Sequence, residues 1–377
     1  MNIEKVAAVE RGSPDGRHAL DPKMMSHALN HARRGLGKVS PNPLVGAVIV
    51  KDGHVIGEGY HAEYGGPHAE TIALEHAGPE AMGATIYINL EPCTTTGNTP
   101  PCTRALIRAG IARAVVAVLD PNPQVNGKGI RELRKAGIDV SVGLLAEEAA
   151  HLNRGFFKWV QTGLPYITLK VARTSDNFTA VSLTDNRRFT SPQSLELVHQ
   201  MRAETDAVMI GRRTAQLDDP QLTTRLVSGP DPLRIILDSD LRLPDNLAIF
   251  KDGQAKTLRF TAVAPSISTD WGEQLTAPRN EDGLQLDAIL KELGDRGITS
   301  VLVEGGPALH ANMLAQNLAD EIVIFTAAVA ADTAAKENQL LNRLEIPESW
   351  HRITEASSGT DRVEVAAKKN ILQEIMI

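Results

Sequence analysis

The sequence of 377 residues lacks long hydrophobic runs and an excess of positive charge. Its apolar runs, such as 44–50 and 322–331, fall far short of the roughly 20 residues that span a bilayer. Residues 1–22 carry scattered charges and lack the apolar stretch of about 7 to 15 residues that a secretory signal needs. A formal net charge of −7 argues against a general polyanion-binding surface. We therefore expect a cytoplasmic protein that binds neither nucleic acid nor membranes.

Cysteine is also scarce. Cys93 and Cys102 are the only two in the sequence, with eight residues between them. In the reducing cytosol a structural disulfide is not expected, so a metal-binding or catalytic role is the better interpretation. The hydrophobic content of 42% and the charged content of 23% are typical of a soluble globular protein and name no function.

The length exceeds the roughly 100 to 200 residues of one domain, so two domains are expected. We predict a flexible extension over residues 1–21, a first domain over 22–145, a linker helix over 146–163 and a second domain over 164–377. In the first domain a helix near 24–34, with Asp21 as its N-cap, precedes a β-hairpin that turns at Asp52-Gly53. Helices and short strands then alternate in both halves, which predicts α/β layering. Residues 240–282 give no clear order of elements.

One histidine and two cysteines form a candidate zinc site. His68 opens a predicted helix, and Cys93 and Cys102 follow in the same domain. Three protein ligands with one open position are typical of catalytic zinc. Zinc lowers the pKa of bound water toward about 7, and Glu70 could pass the proton of that water to a leaving group. This His-x-Glu and Pro-Cys arrangement is the signature of zinc nucleobase deaminases, which usually have two residues between the cysteines rather than the eight found here.

A second candidate site follows the predicted strand at 298–306. Gly305 and Gly306 stand between this strand and a predicted helix at 307–317. Glycines let a phosphate approach the backbone, and the free N–H groups of a helix N-terminus favour the anion. Tight turns also use glycine for packing alone, so this alternative stays open. The position at the carboxyl end of a strand favours a ligand site.

The chain from about residue 22 resembles a known family in several segments. These are SPNPLVGAVIV (40–50), GEGYH (57–61), GGPHAE (65–70), LEPC (90–93), GNTPPC (97–102), DPNPQVNGKGI (120–130) and MRAETDAVMIGRRTAQLDDPQLTTR (201–225). They resemble the RibD family of bifunctional riboflavin-biosynthesis proteins, which joins a pyrimidine deaminase to a reductase. The wide cysteine spacing is this family's own. The resemblance implies an α/β protein, with a cytidine-deaminase-like three-layer domain followed by a dihydrofolate-reductase-like α/β domain.

The resemblance implies roles for particular residues of the first domain. This domain would remove ammonia from 2,5-diamino-6-ribosylamino-4(3H)-pyrimidinone 5′-phosphate, with Glu70 moving protons. Asn42 and His61 match positions that contact the substrate, although an asparagine between two prolines is also a natural turn residue. The ligands of Zn²⁺ would be His68, Cys93 and Cys102.

The second domain, by the same resemblance, would use NADPH to reduce the ribosyl group to ribityl. Arg202 and Arg225 would hold the substrate phosphate, because the planar guanidinium can bond two oxygens at once. Leu222 and Glu304 match further substrate positions. The positions that match cofactor contacts are Thr214, Asp218, Ser239, Gly306, Pro307, Ala308, Leu309, His310, Ala311 and Asn312.

The chain departs from the family pattern at several positions. Thr95 and Asn98 stand between the cysteines where a histidine and a basic residue are usual, which bears on how the substrate is held. In the second domain Asn177 replaces a glycine, and Arg188 replaces a tryptophan beside the nicotinamide. Asn186 departs from the same segment.

We therefore expect a bifunctional enzyme that forms a homo-oligomer and acts on a phosphorylated pyrimidine. An alternative is a zinc deaminase whose reductase domain is inactive or altered in substrate, because of the departures at 177, 186 and 188. A third hypothesis is a nucleotide-sensing protein without turnover. Its structural zinc would take a fourth ligand from His61 or His76.

Overall fold

The computed structural model describes residues 20–94, 100–179, 189–281, 283–332 and 346–368. The chain divides between Gln161 and Thr162 into two compact units. None of the helices in the described ranges combines the length and the apolar character needed to cross a membrane.

The first unit is built on a mixed sheet of five strands in the order β2-β1-β3-β4-β5. The hairpin strand β1 pairs antiparallel with β2 and β3, while β3, β4 and β5 run parallel. The elements are α1 (Asp21–Arg33), β1 (Gly46–Lys51), β2 (His54–Tyr60), α2 (Ala69–Ala77), β3 (Thr85–Leu90), α3 (Cys102–Arg108), β4 (Arg113–Val118), α4 (Lys128–Lys135), β5 (Asp139–Val142), α5 (Ala146–Leu152) and α6 (Arg154–Thr162).

The alternation of side chains along β1 separates the two faces of this sheet. Ala47 and Ile49 share an apolar cluster with Ala69 and Ala73 of α2, and residues of α3 and α4 join the same cluster. Gly46 faces α1, where an added Cβ would lie 2.1 Å from the carbonyl oxygen of Ala28. Helices thus cover both faces of the sheet, and the unit has three layers.

The first helix is not capped as predicted. Its N-cap residue is Leu20, and Asp21 lies within the first turn. The Asp21 carboxylate instead accepts a hydrogen bond from the Tyr87 hydroxyl at 2.7 Å and pairs with the Arg113 guanidinium at 2.7 Å. These partners on β3 and β4 compete with the backbone N–H groups that a cap would bond, so the cap prediction was wrong.

The single helix predicted over 146–163 is also corrected, because two helices, α5 and α6, meet at Asn153. Asn153 is buried, and its side-chain amide bonds both backbone groups of Leu44, accepting from the N–H at 2.7 Å and donating to the carbonyl at 2.9 Å. This tertiary contact fixes the residue at which the helix breaks. It also anchors the segment that leads from Asn42 into β1.

The second unit is built on a ten-stranded sheet in the order β10-β11-β9-β8-β7-β14-β6-β15-β17-β16. Its elements are β6 (Tyr166–Arg173), α7 (Pro192–Ala203), β7 (Ala207–Gly211), α8 (Arg212–Asp218), β8 (Leu233–Leu237), α9 (Ala248–Lys251), β9 (Thr257–Thr261), β10 (Ile267–Thr269), β11 (Gly272–Thr276), β12 (Arg279–Asn280), β13 (Gly283–Leu284), α10 (Leu286–Asp295), β14 (Ser300–Val303), α11 (Pro307–Ala315), β15 (Glu321–Thr326), β16 (Trp350–Ser358) and β17 (Asp361–Lys368).

The strands from β11 to β15 in that order are parallel to their neighbours, and antiparallel strands close both edges. The central strands are buried on both faces, as in β7, where Ala207 to Ile210 are fully covered. Because the strands are parallel, the residues that follow β8, β7, β14 and β6 all reach the same edge of the sheet. Ligand-binding residues are expected at that edge.

Candidate zinc and nucleotide sites

The three predicted zinc ligands lie together in the first unit. His68 is the N-cap residue of α2, Cys102 is the first residue of α3, and Cys93 follows β3. His68 Nδ1 lies 3.2 Å from Cys102 Sγ and 3.6 Å from Cys93 Sγ. The ligand atoms of all three side chains lie within 4.8 Å of one another, so they can surround a single ion.

The electrostatics of the two thiols fit a zinc ion. The hydrogen bond from the Cys102 thiol is the main reason that the pKa of Cys93 falls to about 4, with further help from His68. The Cys102 backbone N–H also donates to Cys93 Sγ at 3.4 Å. The same pairing raises the pKa of Cys102, so that one proton is held between the two sulfurs. A dication that replaces this proton would turn both groups into thiolate ligands, the form in which cysteine binds zinc.

Glu70 lies beside this cluster on the first turn of α2 and is only 3% exposed. Burial, followed by the negative charge of Cys93, raises the pKa of its carboxyl group. A carboxyl group that holds its proton more tightly than usual is suited to give and take protons near neutral pH. The structure therefore places a carboxyl group suited to proton transfer beside the three predicted ligand side chains.

Asn42 and His61 form a pair at the same site. His61 Nδ1 lies 2.9 Å from the Pro67 carbonyl oxygen, so this nitrogen carries the proton and donates it. Its Nε2 then accepts from Asn42 Nδ2 at 3.0 Å, and burial lowers the pKa of His61, which favours this neutral ring. The asparagine Oδ1 is left as an acceptor. Both nitrogens of His61 are thus engaged, which removes it as a fourth metal ligand.

His76, the other candidate for a fourth ligand, bonds the Glu58 carbonyl oxygen through Nδ1 at 2.7 Å. Among the described residues, the group that gathers around His68 contains only the two cysteines besides it. Within the described part of the chain the cluster therefore offers three candidate ligands, the number that leaves a coordination position open on a catalytic zinc ion.

Glu91, in the LEPC segment, was not singled out from the sequence, and the structure gives it a positioning role. Its carboxylate accepts backbone N–H groups of Gly127 at 2.8 Å, Ile130 at 3.2 Å and Asp120 at 3.3 Å. Glu91 therefore connects the loop that begins at Asp120 and the start of α4 to the segment that carries Cys93. A buried glutamate in front of Pro92 after an apolar strand was the signal that could have identified it.

In the second unit, predicted cofactor residues gather at the carboxyl edge of the parallel strands. Thr214 follows β7, Ser239 follows β8, and Gly306 follows β14, and these strands are neighbours in the order β8-β7-β14. Gly306 is the N-cap of α11, and a Cβ added to it would lie 3.5 Å from Thr214 Oγ1. That space can receive a phosphate close to the backbone at the helix N-terminus, although Pro307 has no N–H and the N–H groups of Leu309 and His310 donate to the Gly306 carbonyl oxygen. Gly305 has a packing role, because its Cβ would lie 2.7 Å from Leu309 Cδ2.

The predicted substrate residues Arg202 and Glu304 form a buried ion pair at the same edge. Arg202 Nε and Nη2 donate to the two carboxylate oxygens of Glu304 at 2.6 and 2.9 Å, and Nη1 donates to the Thr223 carbonyl at 3.1 Å. Burial opposes the charge on Glu304, yet the Arg202 charge and hydrogen bonds, together with Lys170 and His199, hold its pKa below the ordinary value. The lysine in the apolar strand β6 was a sequence signal that was missed.

Other predicted positions have different surroundings. Arg225 is exposed and reaches Thr223 Oγ1 at 3.5 Å, so Thr223 lies between the two arginines. Leu222 is 2% exposed and packs in an apolar cluster, so only its backbone can meet a ligand. Leu309 and His310 also face inward, and His310 Nε2 lies 3.3 Å from the Val303 carbonyl. The remaining predicted contacts are either exposed, as Asp218, Ala308 and Ala311 are, or half-buried, as Pro307 and Asn312 are.

Of the departures from the family pattern, Asn177 lies in the described range. Its φ of 72° is left-handed, a conformation that favours glycine and that asparagine adopts more readily than most residues. Thr95, Asn98, Asn186 and Arg188 lie outside the described residues.

Comparison with known proteins gives matches in both units. Residues 19–118 match the cytidine and deoxycytidylate deaminase zinc-binding region, and residues 165–339 match the RibD C-terminal domain. The riboflavin biosynthesis protein RibD of Aquifex aeolicus is 43% identical over 82% of this chain and 87% of its own length. RibD of Escherichia coli is 41% identical over 81% and 87%.

Solved structures give the same result for the fold. A deaminase/reductase from Thermotoga maritima, described as a diaminohydroxyphosphoribosylaminopyrimidine deaminase and 5-amino-6-(5-phosphoribosylamino)uracil reductase, has a TM-score of 0.81 and 33% identity, covering 93% of this chain and 99% of its own. RibD of Acinetobacter baumannii gives the same four values in one crystal form.

Proposed function

The chain belongs to the RibD family, and from that premise we propose which of its residues carry out the two reactions. It is a bifunctional riboflavin-pathway enzyme, a zinc-dependent deaminase followed by an NADPH-dependent reductase, as the sequence predicted. The predicted fold class, a cytidine-deaminase-like domain followed by the reductase domain, is confirmed. An inactive reductase half is not favoured.

We propose the domain boundaries 22–145 and 164–377, with residues 146–163 between them. The division of the chain between Gln161 and Thr162 supports a boundary inside this connecting segment. The homo-oligomer and the cytoplasmic location stay predictions, which sedimentation velocity and cell fractionation would test.

The proposed deaminase substrate is 2,5-diamino-6-ribosylamino-4(3H)-pyrimidinone 5′-phosphate, and His68, Cys93 and Cys102 would hold the zinc. Zinc, when bound, makes a coordinated water acidic enough to react at neutral pH. Glu70 would take a proton from that water and deliver it to the leaving amine, which departs as ammonia. The observation that carries this proposal is the buried Glu70 carboxyl group, with a raised pKa, beside three converging ligand atoms.

Asn42 and His61 would orient the pyrimidine ring. Because the asparagine Nδ2 is fixed by His61, its Oδ1 points an acceptor at a ring or exocyclic N–H of the substrate. The Pro67 carbonyl in turn fixes the tautomer of His61. Neither residue needs to change protonation state during the reaction.

The test of the deaminase assignment is Glu70→Gln, which keeps the shape of the side chain and removes its proton transfer. We expect ammonia release to fall by about 10² to 10⁴-fold, the usual contribution of a positioned acid/base group. The zinc content should stay at the wild-type level. Glu75→Gln, on the exposed side of α2, is the matched control and should keep full activity. Ammonia release within a few-fold of wild type in Glu70→Gln would exclude the assigned role.

For the reductase, the cofactor supplies the hydride, and the domain must align it with the sugar and hold the phosphate. We propose that the α11 N-terminus at Gly306, with Thr214 and Ser239, contacts NADPH. We propose that Arg225, which is exposed, binds the substrate phosphate, and that Arg202 fixes Glu304 and reaches the phosphate through its remaining N–H groups.

An assay that couples ammonia release to NADPH oxidation tests both halves together. In the wild type, each ammonia released should be followed by oxidation of one NADPH. Arg225→Lys keeps the charge but loses the two-oxygen geometry, so KM for the deaminated intermediate should rise while KM for NADPH stays the same. An unchanged KM for the intermediate would remove Arg225 from the phosphate site.

A further inference from the structure

Two histidines of α1 and a glutamate of β2 form a second cluster of metal-ligand side chains in the first unit. His27 and His31 are four residues apart and therefore lie on one face of the helix. Their Nε2 atoms each lie 3.3 Å from the same oxygen, Oε2 of Glu58. The two rings have centroids 4.9 Å apart, and the three ligand atoms lie within 4.8 Å of one another. The cluster shares no residue with the site at His68.

The surroundings of His31 favour ligation through Nε2. The residue is 8% exposed, and burial lowers the pKa of its ring. Among the described residues, no hydrogen-bond partner meets the buried His31 Nδ1. The polar interactions of this ring are thus directed through Nε2 toward the shared point near Glu58.

We propose that His27, His31 and Glu58 bind a divalent transition-metal ion, Zn²⁺ in the first instance, with Ni²⁺ and Cu²⁺ as chemically similar alternatives. Two imidazoles and one carboxylate suit these ions, whereas Mg²⁺ and Ca²⁺ prefer oxygen ligands throughout. The side chains of His27 and Glu58 are 37% and 43% exposed, so water can complete the coordination.

This ion is bound more weakly than the one at the deaminase site. No acceptor in the described ranges meets Nδ1 of His31, whereas a metal-bound imidazole is usually oriented by one, and the difference is worth about 10 to 100-fold in affinity. Arg34, the C-cap residue of α1, adds a positive charge, although its guanidinium is held 4.4 Å above the Tyr60 ring. The ligands here are also one carboxylate and two imidazoles, whereas the deaminase site has two cysteine sulfurs.

Binding would join α1 to β2, the edge strand of the first sheet. Glu58 and Tyr60 lie on this strand, and its next residue is His61 of the proposed substrate pair. An ion held between helix and strand binds only the folded state, so it raises thermal stability in proportion to its occupancy. That gives a readout independent of enzyme activity.

The test is a Zn²⁺ titration of the full-length, zinc-loaded protein by calorimetry, with metal content measured after dialysis. We expect a second equivalent, bound more weakly than the first, and a rise in Tm as it binds. His27→Ala, at a half-buried helix position, and Glu58→Gln should each weaken this second equivalent about tenfold or more. His54→Ala, an exposed histidine at the start of β2, is the control and should leave it unchanged.

Three results would overturn the proposal. The wild type could bind one equivalent only, or the second equivalent could persist unchanged in His27→Ala. Millimolar Mg²⁺ could also displace the second Zn²⁺, which would show an oxygen-only site elsewhere. Circular dichroism of His27→Ala establishes that a loss of binding is not a loss of fold.

Discussion

Replacement of Glu91 by glutamine should loosen the segment that carries Cys93 without removing a metal ligand. The carboxylate is 3% exposed and accepts three backbone N–H groups, from Gly127, Asp120 and Ile130. Glutamine keeps one acceptor oxygen and turns an amide N–H₂ group toward the other donors. One or two of the three backbone groups therefore lose their partner.

The size of the effect follows from these contacts. A buried donor left unpaired costs about 1–3 kcal/mol, and the bond from Gly127, the shortest at 2.8 Å, leads to a half-buried N–H that water can partly satisfy. Burial raises the pKa of Asp120 to about 6, with a contribution from the Glu91 charge. Removal of that charge relieves its repulsion with Asp120 and so offsets part of the loss of stability. We expect a net cost of about 2 kcal/mol. With a urea m-value of about 2 kcal/mol/M, the midpoint shifts by roughly 1 M.

The assay is equilibrium urea unfolding followed by zinc release, which reports the first unit specifically. Glu91→Gln should release zinc at the lower midpoint and, in the absence of urea, lose it faster to a chelator. Glu75→Gln, with no buried contact to lose, should match the wild type. A midpoint for Glu91→Gln equal to that of Glu75→Gln would mean that the three hydrogen bonds do not hold the zinc loop.

Two further predictions concern the second unit. Gly306→Ala places a methyl group 3.5 Å from Thr214 Oγ1 without backbone strain, so KM for NADPH should rise while Tm is unchanged. Gly305→Ala should instead lower Tm, because its Cβ would lie 2.7 Å from Leu309 Cδ2. Burial lowers the pKa of His310 to about 4 from 6.5, so stability is complete above pH 6.5 and is lost as the pH falls toward 4, by about 3 kcal/mol in total. In urea titrations between pH 6.5 and 4, His310→Gln should remove this dependence of the unfolding free energy on pH. The assignment is refuted if the variant and the wild type lose stability equally over that range.

The convergence of His68, Cys93 and Cys102 could be expected from the sequence, because their types and order follow the zinc nucleobase deaminase signature. His68 and Glu70 occupy one helix start, and each cysteine lies in a short turn-rich segment, so residue type and order were enough. The residues that hold this site could not be predicted in the same way. Asp21 bonds Arg113, 92 positions away, and Asn153 bonds Leu44, 109 positions away. No periodicity of the chain reports a partner at that distance.

The same limit explains the fold errors. Asp21 looked like a helix cap because local rules favour aspartate there, but a tertiary partner competed for its carboxylate. In residues 240–282 the strands are short, from two residues in β12 to five in β9 and β11, and too few side chains alternate to mark them. The strand predicted over 298–306 is present as β14, because burial on both faces of a central strand leaves a continuous apolar signal in the sequence.

Asn177 is the one departure from the family pattern that lies among the described residues, and its backbone and its side chain have different effects on the turn. The turn is closed by hydrogen bonds of Thr174, whose carbonyl accepts from the Asn177 N–H at 3.0 Å and whose hydroxyl accepts from the Phe178 N–H at 3.0 Å. Asn177 takes the left-handed φ of 72° that a glycine would take there, so the path of the chain is kept. What the substitution changes is the surface of the turn, where a side chain now stands. It therefore bears on what the turn contacts and not on whether the reductase domain can form.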